Sequence, residues 1–270
     1  VILSRKARVK SSLGIYHVLA IGDKNDLIFE KEIHKYKAVE IIKNAKKENN
    51  INVKKENNIN VIAYCLLNDH IHMVLKVEDN KLENIMKSMN VKYSIYYNRY
   101  EKRHGHVFQD RFGSEAIENN DLLLGVLRYI HNHPLKMGIV DYAADYCWSS
   151  AKEYVSQYSD LIDFNYLNKT INLFKDNNKL TLFHDISDEH IYLDTKEEEN
   201  INKNKITNNK IQQYLNENRI NNKENMTYEE RIELANILLK LNFLTYCQVS
   251  YLSGLKYYEI INMSKVSERK

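Results

Sequence analysis

Apolar and polar positions recur with two periods along roughly the first 155 residues. Short apolar runs bounded by turn residues predict four strands, over 13–20, 60–67, 71–77 and 107–118. Apolar positions three and four residues apart predict three helices, over 31–49, 81–103 and 121–132. A short helix over 148–154 follows, with serine hydroxyls available as caps. This mixture predicts an α+β fold with helices on one face of an antiparallel sheet.

The pattern changes in the second half of the chain. Residues 195–225 carry many Asn, Lys and Glu with few large apolar groups, which indicates a linker or a weakly ordered helix. Thr227–Glu230 has a capping-box pattern, and Thr245–Ile261 has a helix, a glycine turn and a second helix. We therefore divide the chain into a first domain, a variable and partly disordered connecting region, and a helix-turn-helix-like module, over 1–158, 159–226 and 227–265. A plain helical hairpin for protein contact is an equal alternative for the module.

Composition sets wider limits. The 270 residues, 43% of them hydrophobic, suffice for one ordinary domain and a smaller one. The net charge of +3 is weak evidence for a nucleic-acid partner. We find no apolar run long enough to span a membrane and no signal-peptide pattern. Three widely separated cysteines predict reduced thiols in a cytoplasm.

Two pairs of residues suggest a site for chemistry. His70 and His72 stand at i and i+2 of a predicted strand, which places both imidazoles on one face, about 7 Å apart along the chain. Tyr129 and His133 stand one helical turn apart. Two strand imidazoles and a third ligand from a helix would hold a metal ion with open positions for substrate oxygens. A phosphodiester bound there would lie beside the phenol.

Several motifs carry a family resemblance. They stand in order at Arg5–Val9, Gly14–Val18, Ala63–Leu75, Asn98–Phe112, Tyr129–Pro134 and Tyr146–Ser150. Over about residues 1–155 the chain resembles the REP-associated tyrosine transposases and their insertion-sequence relatives, the single-tyrosine HUH transposases (histidine, hydrophobic, histidine). The resemblance implies a ferredoxin-like or RRM-like sheet with the histidines on a central strand.

The resemblance also implies a mechanism. Tyr129 would attack single-stranded DNA, become joined to the 5′ phosphate and release a 3′ hydroxyl, while His70 and His72 bind Mg²⁺ or Mn²⁺. The family usually has asparagine where His133 stands. A neutral imidazole is chemically able to be the third ligand, and it would favour Mn²⁺ or another imidazole-tolerant metal over Mg²⁺.

Basic residues suggest where DNA would bind. Between Lys87 and Arg111, six cations stand against two carboxylates, with tyrosines interleaved that would stack on unpaired bases. A solvated amphipathic helix is the alternative interpretation of this stretch. The candidate DNA-binding residues are Arg5, Arg8, Arg99, Arg103, His106, Gln109, Arg111, Lys256 and Tyr257.

Three functions remain open. The first is a metal-dependent strand transferase acting on single-stranded or hairpin DNA, as a monomer or a homodimer. The second is a hairpin-binding protein with weakened chemistry, suggested by His133 and by the tandem repeat of residues 46–53 in 54–61. The third is a phosphodiesterase that uses activated water at the histidines. We favour the first, because a hydrolase would not need Tyr129 one turn before His133.

Overall fold

The computed structural model describes residues 8–51, 59–78, 81–163, 165, 183–184 and 190–267. The chain separates into two compact units, Val1–Asp194 and Thr195–Lys270. The break therefore falls after Asp194, whereas the sequence pattern places boundaries at residues 158 and 226. Most of the second copy of the tandem repeat lies outside the described residues.

Strands and helices are interspersed in the described part of the first unit. The strands are β1 (Ile15–Ile21), β2 (Ile59–Leu66), β3 (His70–Val77) and β4 (Gly113–Ile117). The helices are α1 (Glu32–Ile51), α2 (Leu82–Tyr100), α3 (Asn120–Lys136) and α4 (Ala151–Ser156). The strands form one antiparallel sheet in the order β2-β3-β1-β4. The predicted α+β class is confirmed.

The two faces of the sheet receive different helices. Ile71 and Met73 of β3 face α1 and α2, and a small cavity there is lined by Ile41, Met89 and other apolar side chains. The alternate residues His70 and His72 face α3, which packs on β2 and β3. Two helices thus share one face, as the pattern predicts, and α3 lies on the other. The central strand β3 carries the histidines, as the resemblance implies.

The sequence pattern overestimates the lengths of one strand and one helix. The strand predicted over 107–118 is reduced to β4, because its first half is a loop in which only Phe108 makes an isolated bridge, to Gly22. The helix predicted over 81–103 ends at Tyr100, and Lys102 lies in the left-handed region with φ of 51°. Ser150 precedes α4, but its side chain makes no capping hydrogen bond. Its hydroxyl contacts Tyr64 and His131 instead.

Over residues 195–267, the second unit contains the helices α5 (Lys196–Glu217), α6 (Tyr228–Leu239), α7 (Tyr246–Ser253) and α8 (Tyr257–Ser267). The pattern allows only a linker or a weakly ordered helix where α5 stands. The helix is held because it buries Ile211, Tyr214 and Leu215 in a core shared with Leu234 and other residues of α6 to α8.

Local signals fix the three last helices. The capping box predicted at Thr227 and Glu230 is present, and Thr245 forms a second one with Gln248. Gly254 ends α7 with φ of 74°, a conformation that favours glycine, and a Cβ there would collide with Arg231. The helix, glycine turn and helix predicted over 245–261 are therefore found as α7 and α8.

Candidate active site

The four ligand atoms offered by His70, His72, His133 and Asp194 lie within 4.8 Å of one another, and all four side chains are buried. Strand alternation supplies the first two histidines. Helix α3, capped by the side chain of Asn119, supplies His133 one turn after Tyr129. One chain thus brings together the residues that the sequence could only pair locally.

The hydrogen bonds of His70 select one ring tautomer. Its Nδ1 lies 2.8 Å from a carboxylate oxygen of Asp69, which only accepts, so Nδ1 carries a proton and, in the neutral ring, Nε2 has the lone pair. This Nε2 is buried and has no hydrogen-bond partner among the residues that the structure describes. A buried lone pair without a donor is the arrangement that a metal ligand needs.

His72 is held as a neutral ring. Burial, followed by the neighbouring His133, His70 and His17, keeps the pKa of His72 well below its ordinary value. Its Nδ1 lies 3.0 Å from Nε2 of His17, and its Nε2 lies 3.5 Å from a carboxylate oxygen of Asp194. Metal binding requires neutral imidazole, so the desolvated environment suits this role.

The candidate nucleophile contacts the same cluster. The Tyr129 hydroxyl donates a hydrogen bond to Asp194, and the Tyr129 ring lies 5.4 Å from the His133 ring between centroids. Tyr192 packs on the other side of the phenol at 4.8 Å, and Lys136 Nζ lies 4.5 Å from its centroid. Only 4% of Tyr129 is exposed.

Asp194 is the site residue that sequence reasoning missed. It stands in an acidic stretch, residues 184–200, where no spacing distinguishes one carboxylate from the other six. Tertiary packing makes the choice: Leu193 lies where a Cβ on Gly113 of β4 would touch it, and Tyr192 stacks on Tyr129. We call residues 190–194 the closing segment.

The ligand set fits a divalent metal ion. Three imidazoles and one carboxylate suit Mn²⁺, Fe²⁺, Co²⁺ or Zn²⁺ better than Mg²⁺, which prefers oxygen ligands. The buried lone pair of His70 supports the same conclusion, because a polar atom without a partner is costly unless something binds there.

His131 has a different role from its neighbours on α3. It is fully buried, and its two ring nitrogens contact the Ser150 hydroxyl at 2.9 Å and His184 at 3.0 Å. Burial and then His184 lower the pKa of His131 well below its ordinary value. These contacts fit a structural role for His131.

The candidate DNA-binding residues fall into three groups. Arg5 lies outside the described residues. Arg8 and Arg103 make contacts within the fold: Arg8 pairs with Glu83 and covers the Phe112 ring, and Arg103 pairs with Asp26 at 2.7 Å. The others have exposed side chains, and they are Arg99, His106, Gln109, Arg111, Lys256 and Tyr257.

Two cavities border the outer side of α2. One, of about 670 Å³, is lined by Arg8, His106 and Arg111 together with Lys87 and other polar and apolar groups. The second, of about 490 Å³, is lined by Lys37, Lys92, Ile95, Tyr96, Arg99 and Tyr100. The interleaved tyrosines do not all face outward, because Tyr93 and Tyr97 are buried in the core.

The first unit thus has an antiparallel sheet with two histidines on its central strand and a tyrosine on a helix that packs against that strand. Residues 10–133 match the family model described as "Transposase IS200 like". The resemblance to the insertion-sequence transposases is thereby confirmed for the first unit.

Individual proteins are similar to parts of this chain. A REP-associated tyrosine transposase from Haemophilus influenzae is 27% identical over 100 residues, which cover 33% of this chain and 57% of the relative. The chain thus spans little more than half the length of that relative. Among solved structures, a REP-associated tyrosine transposase bound to a REP hairpin is 17% identical, with 61% of this chain and 96% of that chain covered and a TM-score of 0.45. A transposase from Deinococcus radiodurans is 12% identical, with 48% and 97% covered and a TM-score of 0.33.

Two further observations concern the chain as a whole. Within its described parts, no helix is both long enough and apolar enough to cross a membrane. Cys65, Cys147 and Cys247 form no disulfide in the described part of the chain.

Proposed function

We propose that this protein is a metal-dependent DNA strand transferase that cleaves and rejoins single-stranded DNA, at hairpin or repeat ends, through a phosphotyrosine. The observation that carries the proposal is the convergence of the Tyr129 hydroxyl with His70, His72 and His133 in one chain. A hydrolase that activates water would have no use for a phenol at that position.

In the proposed reaction, the Tyr129 oxygen forms a bond to the phosphorus, and the bond from phosphorus to the 3′ oxygen breaks. The DNA is then joined to Tyr129 through its 5′ phosphate, and the other strand end leaves as a 3′ oxygen that takes a proton from water to give a 3′ hydroxyl. Attack by a 3′ hydroxyl on the same phosphorus reverses the step. Because the phosphodiester bond energy is conserved, the reaction suits strand transfer better than degradation.

The side chains divide the work of this step. A phenol is a weak nucleophile at neutral pH, so its proton must be accepted as the new bond forms. Asp194 accepts the hydrogen bond from the Tyr129 hydroxyl and is placed to receive that proton. His70, His72 and His133 would hold the ion. A bound divalent cation supplies a positive charge for a non-bridging phosphate oxygen.

The metal that we propose is Mn²⁺ rather than Mg²⁺. His133 stands where the family usually has asparagine, so an imidazole nitrogen replaces an amide oxygen among the ligands. Softer nitrogen ligands favour Mn²⁺ over Mg²⁺.

Single-stranded DNA reaches the buried phenol of Tyr129 only if the closing segment, residues 190–194, moves away from it.

We further propose two DNA-binding surfaces. The cations beside the two α2 cavities would follow a DNA backbone, while Tyr100, which is 51% exposed, is available to stack on a base. In the second unit, Lys256 and Tyr257 are exposed where α8 begins, as in a helix-turn-helix recognition helix. Contact with another protein is the alternative for α8.

The test is a search for a covalent adduct. Purified protein is incubated with labelled single-stranded hairpin DNA and Mn²⁺ or Mg²⁺, and the products are separated on a denaturing gel. We expect a metal-dependent protein–DNA adduct that is absent from Tyr129→Phe. The control is Tyr93→Phe, which removes another buried tyrosine hydroxyl, hydrogen-bonded to Ile28 on the opposite face of the sheet.

Two outcomes would contradict the proposal. Cleavage that leaves free 5′ phosphates and survives Tyr129→Phe would indicate a hydrolase. Hairpin binding without any adduct, on hairpins confirmed as targets, would indicate a DNA-binding protein with lost chemistry. Duplex binding unaffected by Lys256→Ala and Tyr257→Ala would remove the role proposed for α8.

A further inference from the structure

His17 is a buried histidine that the proposed reaction does not use. It lies on β1 within the Gly14–Val18 motif and is fully buried. In the antiparallel register, Glu115 of β4 stands directly opposite His17, and Leu19 of β1 stands opposite His72. Residues opposite one another share a face, so Glu115, His17 and His72 lie on the histidine face of the sheet.

The three side chains form a continuous line. A carboxylate oxygen of Glu115 lies 3.6 Å from Nδ1 of His17, and Nε2 of His17 lies 3.0 Å from Nδ1 of His72. The His17 and His72 rings are stacked at 5.2 Å. The line ends at the ring of His72, one of the four candidate ligands, whose Nε2 lies 3.5 Å from Asp194.

The positions of the protons determine which ring nitrogen donates and which accepts in each of these contacts. A carboxylate only accepts, so Glu115 favours the proton of neutral His17 on Nδ1. Nε2 of His17 is then an acceptor, and the contact of 3.0 Å requires His72 to donate from Nδ1. His72 in that tautomer has its lone pair on Nε2, where it faces the other candidate ligands.

A competing arrangement exists on the other side of His72. Asp194 lies 3.5 Å from Nε2 of His72, and a carboxylate there would favour a proton on Nε2. That tautomer cannot bind a metal through Nε2. Distance does not separate the two carboxylates, since Glu115 lies 3.6 Å from His17 and Asp194 lies 3.5 Å from His72. Asp194 differs because it already accepts the hydrogen bond of the Tyr129 hydroxyl and is itself a candidate ligand. An ion bound by Asp194 and by Nε2 of His72 leaves the proton of His72 only on Nδ1, the tautomer that the line from Glu115 supports.

We propose that Glu115 and His17 form an outer relay that fixes His72 as its Nδ1–H tautomer and thereby sets the metal affinity of the site. His17 and Glu115 are positioning residues, because neither contributes one of the four ligand atoms. The proposal rests on the proposed function only in taking His72 as a metal ligand, and it does not depend on the chemistry of Tyr129.

The first experiment measures metal affinity. Mn²⁺ is titrated into the full-length, metal-free protein by calorimetry, and circular dichroism verifies that each variant is folded. We expect His17→Phe, which keeps a ring but removes the acceptor, to raise the dissociation constant about 10-fold to 100-fold. Glu115→Gln should raise it less, because the hydrogen bond between His17 and His72 remains.

Two variants separate positioning from packing. In His17→Gln, the amide oxygen can accept from Nδ1 of His72, so the affinity should return to within about threefold of wild type. The matched control is His34→Phe, which replaces another buried histidine with a carboxylate partner, Glu101, at 2.8 Å. It lies on α1, away from the ligands, and should leave the dissociation constant unchanged.

The second experiment observes the tautomer itself. Nitrogen-15 spectra of histidine-labelled, metal-free protein, with His72 assigned from His72→Gln, should show the proton on Nδ1 of His72. In His17→Phe, a substantial fraction should carry it on Nε2. A wild-type His72 protonated on Nε2, or an affinity that His17→Phe leaves unchanged, overturns the relay. Failure of the adduct assay with these shifts intact would reject the strand transferase and leave the relay standing.

Discussion

The two faces of the sheet in the first unit treat buried histidine differently. On the α1 and α2 face, His34 is 2% exposed, and its two ring nitrogens contact the Tyr96 hydroxyl at 3.2 Å and Glu101 at 2.8 Å. On the α3 face, His70 is equally buried, yet its Nε2 has no hydrogen-bond partner among the described residues. The two histidines are buried to the same extent, but only His34 has hydrogen-bond partners for both of its ring nitrogens.

This difference distinguishes a structural histidine from a ligand. A buried polar atom without a partner costs about 1–3 kcal/mol, so a fold that keeps one has a use for its lone pair. On the α3 face, His70 belongs to a cluster of four candidate metal ligands, whereas His34 belongs to an ordinary network of tyrosine and carboxylate. Burial alone does not distinguish His34 from His70 as a candidate ligand.

The largest expected effect comes from replacing one histidine on each face. His70→Leu should reduce metal-dependent adduct formation at least about 100-fold, because the metal contributes several kcal/mol to such a reaction. Its melting temperature without metal should stay the same or rise, since the change removes an unsatisfied group. Calorimetry and the adduct assay test both.

His34→Leu is the matched variant, and its pattern should be the reverse. Its melting temperature should fall by about 3–6 °C as the ring loses its hydrogen bonds, while adduct formation stays near wild type. If both variants lost stability equally, the two faces would not differ in the way that we infer.

The next effect is stabilisation by metal. At a free Mn²⁺ concentration 100 times the dissociation constant, a ligand that binds only the folded state stabilises it by about 2.7 kcal/mol. Wild type and His34→Leu should both gain this increment, and a chelator should remove it. His70→Leu should gain far less. An equal gain in His70→Leu would place the metal elsewhere.

Acid should destabilise the α3 face through its neutral histidines. Burial lowers the folded pKa of His17, His72 and His131 below the ordinary value of 6.5, so near neutral pH both states are uncharged and nothing changes. As pH falls below about 6.5, the unfolded chain binds protons that the folded chain does not. Each such histidine then removes about 1.4 kcal/mol of stability per pH unit.

The measurement is the free energy of unfolding of the metal-free protein between pH 7.5 and pH 5, from denaturant titrations. Replacing His131 by Gln should reduce the slope by about one proton. A stability that is flat or rises as the pH falls through that window would show that these rings are not held neutral.

The same contrast explains what the sequence predicts. Strand alternation and helical spacing are local, so they predict the α+β class and pair His70 with His72 and Tyr129 with His133. Which carboxylate reaches the cluster depends on packing between distant segments. Asp194 is one of seven acids in residues 184–200, and no local rule selects it.

Tyrosines and histidines mislead for a related reason. Tyr93 and Tyr97 have the spacing of an apolar helix face, and the interpretation as base-stacking residues ignores that such a face is usually buried. His17 reads as an ordinary residue of a buried strand, because its contact with His72 depends on the pairing of β1 with β3. His17 lies in one of the motifs of the family resemblance, but its contact with His72 could be found only from the folded structure.

A smaller effect is expected at the fourth candidate ligand. Asp194→Asn keeps an oxygen but removes the negative charge, so the Mn²⁺ dissociation constant should rise about tenfold. The control uses Glu153 of α4, a carboxylate that accepts a hydrogen bond from the Tyr64 hydroxyl. Glu153→Gln should leave the Mn²⁺ dissociation constant unchanged. An unaltered affinity in Asp194→Asn would restrict the ligand set to the three histidines.

The smallest expected effect concerns two arginines, one exposed and one held by contacts within the fold. Arg99 is exposed beside the cavity that Lys37 and Lys92 also line, whereas Arg103 is held by Asp26 at 2.7 Å and by the carbonyl of His106. Arg99→Ala should weaken hairpin binding a few-fold and reduce the slope of affinity against salt by about one ion, with the melting temperature unchanged. Arg103→Ala should lower the melting temperature and leave the salt slope unaltered. Fluorescence anisotropy over a salt series distinguishes them, and the reverse pattern would show that the arginine held by the fold is the one that meets DNA.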